Sequence, residues 1–180
     1  KVGGQWLVSP SAEETIFCRE MFSEDHKDIE KMVLEFASDK IYPNVYKIES
    51  LDEDLSRSIM EEMGGLGLIG VDAPEKYGGT ELDKITACIV TEGVGFSGSS
   101  SFGCTFGVQT GIGSLGIVFF GTEEQKSKYL PKLMSGEWIA AYGLTEPSSG
   151  SDALSAKTTA VLSEDGKHYI LNGEKQFISN

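Results

Sequence analysis

Positive charge is scarce in this sequence of 180 residues. Lys and Arg together number 15 against 28 Asp and Glu, so the formal net charge is −13. A chain of that charge repels nucleic-acid phosphates, and it has no basic amphipathic stretch that would bind anionic lipids. The composition therefore argues against nucleic acid and against an anionic membrane surface as partners.

Long apolar runs and cysteines are also few. Lys, Glu, Gly or Ser interrupts each apolar run, so we expect none to reach the length of a bilayer crossing. The three cysteines, Cys18, Cys88 and Cys104, have no metal-type spacing and mostly apolar neighbours. They predict buried free thiols in a reducing compartment. The chain lacks an initial Met and a tail after Asn180, so we expect a piece of a longer protein.

Histidine is nearly absent, with only His26 and His168. Both lie in charged surroundings, away from cysteine, which predicts solvated side chains rather than metal ligands. The sequence also lacks the G-x-S-x-G pattern of a nucleophilic serine. These absences leave no metal centre and no serine nucleophile to predict.

Glycine is abundant, at 22 residues, and two stretches match the dinucleotide pattern G-x-G-x-x-G: residues 93–98 and 111–116. That pattern binds a dinucleotide only between a strand and a helix. Neither stretch follows a convincing strand, so we interpret both as helix-packing glycines.

The chain divides into three predicted parts: an N-terminal extension (1–22), a helical domain (23–137) and the first strands of an incomplete β domain (138–180). Capping residues mark the helices: Ser23, Ser50 with Glu53, Asp83, and Thr122 with Gln125. Residues 93–121 carry no charge, which predicts one or two central helices buried on all sides.

After Trp138 the pattern becomes that of strands and turns. Asp165-Gly166 and Asn172-Gly173 are hairpin signals. The predicted strands are 139–145, 157–162, 167–171 and 175–179, with a Ser- and Gly-rich loop at 146–152. The fold class is therefore α+β and multi-domain.

Two carboxylates, Glu146 and Asp152, flank that loop. Such a pair can act as acid and base, but short acidic side chains also stabilise turns. The residues alone favour turn stabilisation for both, and loop hydrogen bonding for Ser148, Ser149 and Ser151. At this point the residues specify no function.

Four segments in order and spacing resemble the acyl-CoA dehydrogenase family. They are 67–71 with 74–79, then 121–126 with 129–131, the signature-like segment 141–153, and finally 171–173 with 175–180. The resemblance covers nearly the whole chain from about Ser23. The Ser148-Ser149 pair and the Gly3-Gly4 extension resemble the long- or very-long-chain branch.

The resemblance implies a fold and an activity. The fold is an N-terminal helical domain, a middle β domain and a C-terminal helical bundle that this chain does not contain. The activity is FAD-dependent α,β-dehydrogenation of fatty acyl-CoA, in fatty-acid β-oxidation. The implied partners are an acyl-CoA substrate, an electron-transfer flavoprotein as acceptor, and further copies in a homodimer or homotetramer. A bacterial member would be cytoplasmic and a eukaryotic one would lie in the mitochondrial matrix.

The resemblance also implies site residues. Thr145 would donate its hydroxyl, and Leu144 its backbone N–H, to the flavin. Ser151 would also face the CoA part of the substrate, and Phe177, where relatives often carry Trp, would cover the flavin. Phe177 can equally be a strand residue on the core face, and the two interpretations can both hold. The full set of expected cofactor contacts is Tyr142, Leu144, Thr145, Gly150, Ser151, Phe177, Ile178 and Ser179. No catalytic residue is expected here, because the family's glutamate base comes from the C-terminal region.

Alternatives stay open at this point. An acyl-CoA oxidase or a flavin monooxygenase has the same fold, and a scaffold without the base would be non-catalytic. Oxygen consumption separates the first two from a dehydrogenase.

Overall fold

The computed structural model describes residues 17–180, so residues 1–16 of the predicted extension lie outside the described residues. Within that range helices come first and a β-hairpin last, which confirms the predicted α+β class. The boundary between residues 137 and 138 falls between the last helix and the first strand and stays a prediction. The elements are α1 (Glu24–Phe36), α2 (Val45–Glu49), α3 (Glu53–Gly65), α4 (Lys84–Gly95), α5 (Ser100–Thr110), α6 (Leu115–Phe120), α7 (Glu123–Met134), β1 (Thr159–Leu162) and β2 (Tyr169–Asn172).

Ser23 is the N-cap of α1, as predicted, and His26 completes the cap. The Ser23 hydroxyl accepts from the His26 N–H at 3.2 Å, and His26 Nδ1 accepts from the Ser23 N–H at 3.3 Å. The other ring nitrogen lies 3.1 Å from Asp83, which caps α4 through the Thr86 N–H. The prediction of a solvated side chain is therefore wrong for His26, because its ring joins two helix starts. His168 is exposed, as predicted.

Of the two predicted capping boxes, one is confirmed and the other is wrong. Thr122 and Gln125 form the predicted capping box at the start of α7. The predicted box of Ser50 and Glu53 is wrong, because α3 begins at Glu53 and its N-cap is Asp52. A carboxylate next to the first helical residue serves as the cap, so the serine two positions earlier is not needed.

Glycines allow close packing at two places in the helical core. A Cβ on Gly93 would lie 2.4 Å from the Val33 side chain of α1, and one on Gly113 would lie 2.6 Å from Ala140. In the described part of the chain, α4 and α5 lead into the two G-x-G-x-x-G stretches and no strand does. The interpretation of these stretches as helix-packing glycines agrees with this geometry at Gly93 and Gly113.

The charge-free segment 93–121 is less buried than predicted. It forms the end of α4, then α5 and α6, and it buries Phe102 and Phe106 in the core. Phe96 and Phe120 nevertheless expose 68% and 88% of their surface. The prediction of burial on all sides is wrong, because this domain covers only one face of α5.

The expectation that no apolar run reaches the length of a bilayer crossing is also wrong. Residues 100–120 are long and apolar enough to cross a membrane by length and hydropathy, because their glycines and serines carry no charge. The chain turns at residues 111–114, between α5 and α6. One face of α5 packs into the helical core.

One cluster of polar contacts joins two of the recognised sequence segments. The Tyr77 hydroxyl donates to Glu123 at 2.5 Å, and the Lys76 ammonium lies 3.0 Å from the same carboxylate. These contacts hold the loop before α4 against the first turn of α7.

The β part is a single antiparallel hairpin in the described residues. Strand β1 pairs with β2, with Leu162 opposite Tyr169, and Gly166 turns the chain with φ of 68°. The predicted strands at 139–145 and 175–179 are wrong as strands. These segments share one backbone hydrogen bond, from Gln176 N to Thr145 O at 2.9 Å, so they form no ladder.

The cysteine prediction is partly wrong. All three thiols are free, as predicted, but all three are exposed. Cys88 and Cys104 lie on outward faces of α4 and α5, since apolar neighbours in sequence point to other sides of a helix.

Candidate functional site

A cavity of about 450 Å³ lies between one face of α5 and two loops. The first loop follows Ala140, and the second loop precedes Asn180. Six of the eight predicted cofactor contacts line it together. They are Tyr142, Leu144, Thr145, Phe177, Ile178 and Ser179, with Val108 of α5 and Ile112, in the turn after this helix, as the opposite wall.

Lys175 holds the two loops together. Its ammonium donates to the Leu144 carbonyl at 3.0 Å and to the Glu146 carboxylate at 2.8 Å. The backbone bond from Gln176 to Thr145 adds a second link one residue further on. The loops therefore form one rigid wall of the cavity, although no sheet joins them.

Glu146 is buried, with 4% of its surface exposed, and each carboxylate oxygen is engaged. Besides Lys175, the backbone N–H groups of Lys157 and Thr158 donate to it at 2.6 and 3.1 Å. The Lys175 ammonium and these donors hold the pKa of Glu146 at about 2. A carboxylate so stabilised is a poor proton acceptor, so the structure agrees with the interpretation of Glu146 as a stabiliser of the turn.

The serine-rich loop forms a tight turn beside this carboxylate. The backbones of Glu146 and Ser149 exchange hydrogen bonds of 3.0 and 3.1 Å, and the Ser149 hydroxyl donates to the Asp152 carbonyl at 2.8 Å. Gly150 and Ser151 are exposed and do not line the cavity. Their predicted roles toward a cofactor and a CoA chain stay predictions.

Phe177 has an unusual backbone and position. Its φ is 57°, in the left-handed region, and 85% of its surface is exposed. The interpretation as a strand residue on the core face is therefore wrong. A bulky residue in this conformation is strained, and such strain is found mainly where a ligand or partner requires it. The ring is available to cover a ligand in the cavity.

The cavity has hydrogen-bond donors to offer. In residues 17–180 neither the Leu144 N–H nor the Thr145 hydroxyl has an intramolecular partner. Between them they present two donors beside apolar walls, an arrangement that suits a flat, mainly apolar ring with polar edges. The isoalloxazine ring of a flavin, the ligand that the sequence resemblance implies, has this character, and a cavity of this volume is in the range that holds small ligands.

Sequence reasoning missed the α5 side of the site. Val108 and Ile112 line it, and the sequence marked them only as members of a charge-free segment. A second cavity, of about 540 Å³, lies on the other side of α5 between that helix and α4. Gly107 and Gly111, both members of the charge-free segment, line this cleft.

Two family models match the chain. The model described as "Acyl-CoA dehydrogenase, N-terminal domain" matches residues 23–137, and the one described as "Acyl-CoA dehydrogenase, middle domain" matches residues 141–180.

Individual relatives agree with the family models. A probable acyl-CoA dehydrogenase of Bacillus subtilis is 50% identical over 178 residues, which are 99% of this chain and 30% of the relative. A crystal structure of an acyl-CoA dehydrogenase complexed with FAD, from Bacillus anthracis, superposes with a TM-score of 0.92 at 49% identity, covering 98% of this chain and 30% of that one.

Other relatives act on different acyl groups, by their names. The very long-chain specific enzyme of Macaca fascicularis is 46% identical over 128 residues, covering 71% of this chain and 19% of that protein. Further relatives are named isobutyryl-CoA and isovaleryl-CoA dehydrogenases. The chain spans between a fifth and two fifths of the relatives it matches.

Proposed function

This chain belongs to the acyl-CoA dehydrogenase family, and we propose that it supplies the flavin-binding loops and part of the acyl pocket of an FAD-dependent enzyme. The proposed reaction removes two hydrogens from the Cα–Cβ bond of a fatty acyl-CoA thioester. The carrying observation is the convergence of the two loops on one cavity. Segments 142–145 and 177–179 are distant in sequence, yet they line the same 450 Å³ space.

The chain's own groups bind and orient in this reaction. When bound, FAD supplies the acceptor for the β hydrogen, which leaves as hydride. Leu144 and Thr145 would donate hydrogen bonds to the polar edge of the ring, and Phe177 would cover its face and exclude water. Such donors can also favour the negative charge that develops during the reaction, without reorganisation.

The α proton goes to a carboxylate base that we expect outside the described residues. Glu146 does not fit this role, since its pKa is about 2 and Lys175 neutralises it. Asp152 lies on the serine loop, which does not line the cavity. We therefore propose that this chain binds the cofactor and substrate, and that the region following it in family members supplies the base that removes the α proton.

A long acyl chain is the finer proposal. Successive residues of a helix point about 100° apart. Gly107 therefore lies on the side of α5 between Phe106, which lines the 540 Å³ cleft, and Val108, which lines the flavin cavity. Within residues 17–180 a Cβ on Gly103 or Gly107 would meet no atom within 4 Å, so these glycines do not pack against another described element.

The side of α5 that carries Gly107 thus offers a path from the 450 Å³ flavin cavity over the helix to the 540 Å³ cleft. The cleft walls are mainly apolar, with Leu68, Val90 and Leu115 among them. An acyl tail that begins at the flavin would find apolar surface along this path, and its burial there would favour longer chains. Relatives named for short branched and for very long acyl groups are both similar to the chain, so the pocket rather than the family supports this proposal.

The proposed partners and location follow from the proposed reaction. We propose that the electrons pass to an electron-transfer flavoprotein, and that the enzyme is a homodimer or homotetramer. It would be cytoplasmic in a bacterium and in the mitochondrial matrix in a eukaryote.

The test uses the full-length holoenzyme without oxygen. A series of saturated acyl-CoAs from short to long is mixed with it, and the loss of flavin absorbance is followed. We expect bleaching with long acyl-CoAs and formation of the 2-enoyl product, with little oxygen uptake when air is admitted. Rapid oxygen consumption would instead identify an oxidase or monooxygenase, and a flavin that no acyl-CoA reduces would contradict the proposal.

A further inference from the structure

Gln109 of α5 is a fully buried amide in an otherwise apolar surrounding, with 0% of its surface exposed. Its Nε2 donates to the carbonyl of Leu133 at 2.7 Å and to that of Trp138 at 2.9 Å. Its Oε1 accepts from the Ala140 N–H at 2.6 Å. A buried amide is tolerated only with its hydrogen bonds made, and here both donor hydrogens are used.

Ala140 is held from its other side as well. Its carbonyl accepts from Asn180 Nδ2 at 2.8 Å, and the same amide nitrogen lies 3.4 Å from the Thr105 carbonyl. Thr105 is one helical turn before Gln109 on α5. The contacts therefore close a circuit that runs from α5 through Gln109 to Ala140, then to Asn180 and back to α5. We call it the amide circuit.

The amide circuit lies where both cavity loops meet α5. Residues 142–145 start two positions after Ala140, and residues 177–179 end just before Asn180. Val108, the opposite wall of the cavity, is the neighbour of Gln109 in α5. The two amides thus fix how far both loops stand from the helix that forms the opposite wall.

We propose that Gln109 and Asn180 are positioning residues, and that the amide circuit sets the spacing between the flavin loops and helix α5, which lines the proposed acyl path. This rests on the proposed function. Hydride transfer requires the acyl Cα–Cβ bond and the ring to be placed closely, and a displacement of about 1 Å costs about a hundredfold in rate. An apolar side chain at 109 would fill the space but leave the Trp138 carbonyl and the Ala140 N–H without partners, while the Leu133 carbonyl would keep the Gly136 N–H.

The experiment compares Gln109→Leu, Gln109→Glu and Asn180→Ala in the full-length holoenzyme. We expect Gln109→Leu to slow flavin reduction by about tenfold or more at saturating acyl-CoA, and to shift the flavin absorption bands and weaken FAD binding. Gln109→Glu keeps an acceptor for the Ala140 N–H but sets a buried carboxylate oxygen against the Leu133 and Trp138 carbonyls, so it should slow reduction at least as much as Gln109→Leu. Because both amides act on Ala140, the double variant Gln109→Leu/Asn180→Ala should slow reduction by less than the product of the single effects.

The control for a merely structural role is Gly93→Ala, which overlaps the Val33 side chain of α1, and neither residue lines the flavin cavity or bonds to the amide circuit. It should lower the melting temperature while leaving the flavin spectrum and the reduction rate unchanged. The proposal is overturned if the Gln109 and Asn180 variants behave like this control, with lower melting temperatures but spectra, FAD affinity and rates of the wild type. If Gln109→Leu does not fold, the flavin spectra, FAD affinities and reduction rates of Gln109→Glu and Asn180→Ala decide between a positioning role and a merely structural one.

Failure of the proposed function is seen separately. A wild-type protein that binds FAD but is not reduced by any acyl-CoA contradicts the function. The flavin spectrum and FAD affinity of the variants still decide on the positioning role. A wild-type protein that binds no flavin contradicts both.

Discussion

The ammonium of Lys175 lies 2.8 Å from the buried carboxylate of Glu146, and this ion pair joins the two loops of the candidate flavin cavity. Lys175 comes from the loop that carries Phe177, and Glu146 directly follows Thr145 on the other loop. The pair is nearly enclosed, since the Glu146 side chain is 3% exposed and that of Lys175 is 30% exposed. Its state of protonation therefore bears on the shape of the site.

The ion pair predicts a pH dependence of stability. The pKa of Glu146 is lowered from 4.5 to about 2 by Lys175 and the backbone donors. A carboxyl whose pKa falls on folding stabilises the folded state above its unfolded pKa, and this contribution is lost as the pH falls toward the folded pKa. We expect Glu146→Gln to lower the melting temperature at neutral pH, and the difference from wild type to shrink between about pH 4.5 and pH 2.

The control for this prediction is Glu164→Gln, at an exposed carboxylate in the hairpin turn. Its melting temperature should follow that of the wild type at each pH. A Glu146→Gln difference that stays constant from neutral pH down to pH 2 would show that the carboxylate does not have the proposed low pKa.

Thr145→Val tests the contact to the flavin. The change removes a hydroxyl that has no intramolecular partner in the described residues and that lines the cavity. A flavin group left without its donor costs about 1–3 kcal/mol, so FAD should bind roughly 5- to 150-fold more weakly, with a shifted absorption spectrum. Thr159→Val, on an exposed position of β1, is the matched control. Equal FAD affinity and equal spectra in both variants would contradict the assignment of Thr145.

Adjacent glycines at the end of α3 predict opposite effects of the same substitution. A Cβ on Gly64 would lie 2.2 Å from the Ser135 carbonyl oxygen, whereas one on Gly65 would meet nothing within 4 Å. Gly64→Ala should lower the free energy of unfolding by about 1–3 kcal/mol, since the overlap is with backbone. Gly65→Ala should raise it by about 0.4–1 kcal/mol, because alanine restricts the unfolded chain. Denaturant unfolding measures both, and a destabilised Gly65→Ala would show that the chain turns there in a way alanine cannot adopt.

Local signals predicted much of the helical fold and little of the tertiary burial. Ser23, Asp83 and Thr122 were found as caps because a cap depends on side chains within three residues of it. The partner of His26 was missed because Asp83 is 57 residues away in sequence. A sequence shows which residue types can pair and not which ones the fold brings together.

The candidate site, too, was predicted from the sequence only in part. The two loops were predicted by resemblance, and the structure brings six of their residues to one cavity. No sequence pattern indicated that α5 would form the opposite wall of the cavity. The absence of charge shows that a helix can be buried, whereas how much of it is buried depends on which elements pack against it. The same reason explains why Gly103 and Gly107, in the segment predicted to be buried on all sides, face open space within residues 17–180.

The last prediction concerns acyl length and the open side of α5. Gly107 lines the 540 Å³ cleft, and a side chain added there meets no atom. Gly107→Leu should therefore keep or slightly raise the melting temperature, since a glycine inside a helix costs about 1 kcal/mol relative to alanine. The added isobutyl group would fill the start of the path toward the cleft. Short acyl-CoAs, which do not reach it, should keep their kcat/KM, and long ones should lose it.

The matched control is Gly116→Leu on α6, since a Cβ there also meets nothing within 4 Å and the residue lines neither cavity. Melting temperature and kcat/KM are measured for both variants across an acyl-CoA series in the full-length enzyme. Gly116→Leu should leave the profile unchanged, so a selective loss of long substrates in Gly107→Leu would be due to its position and not to the added leucine. A uniform loss across the series, or a fall in melting temperature for Gly107→Leu alone, would mean that the glycine serves packing against a part of the protein outside the described residues. The acyl path would then not pass over Gly107.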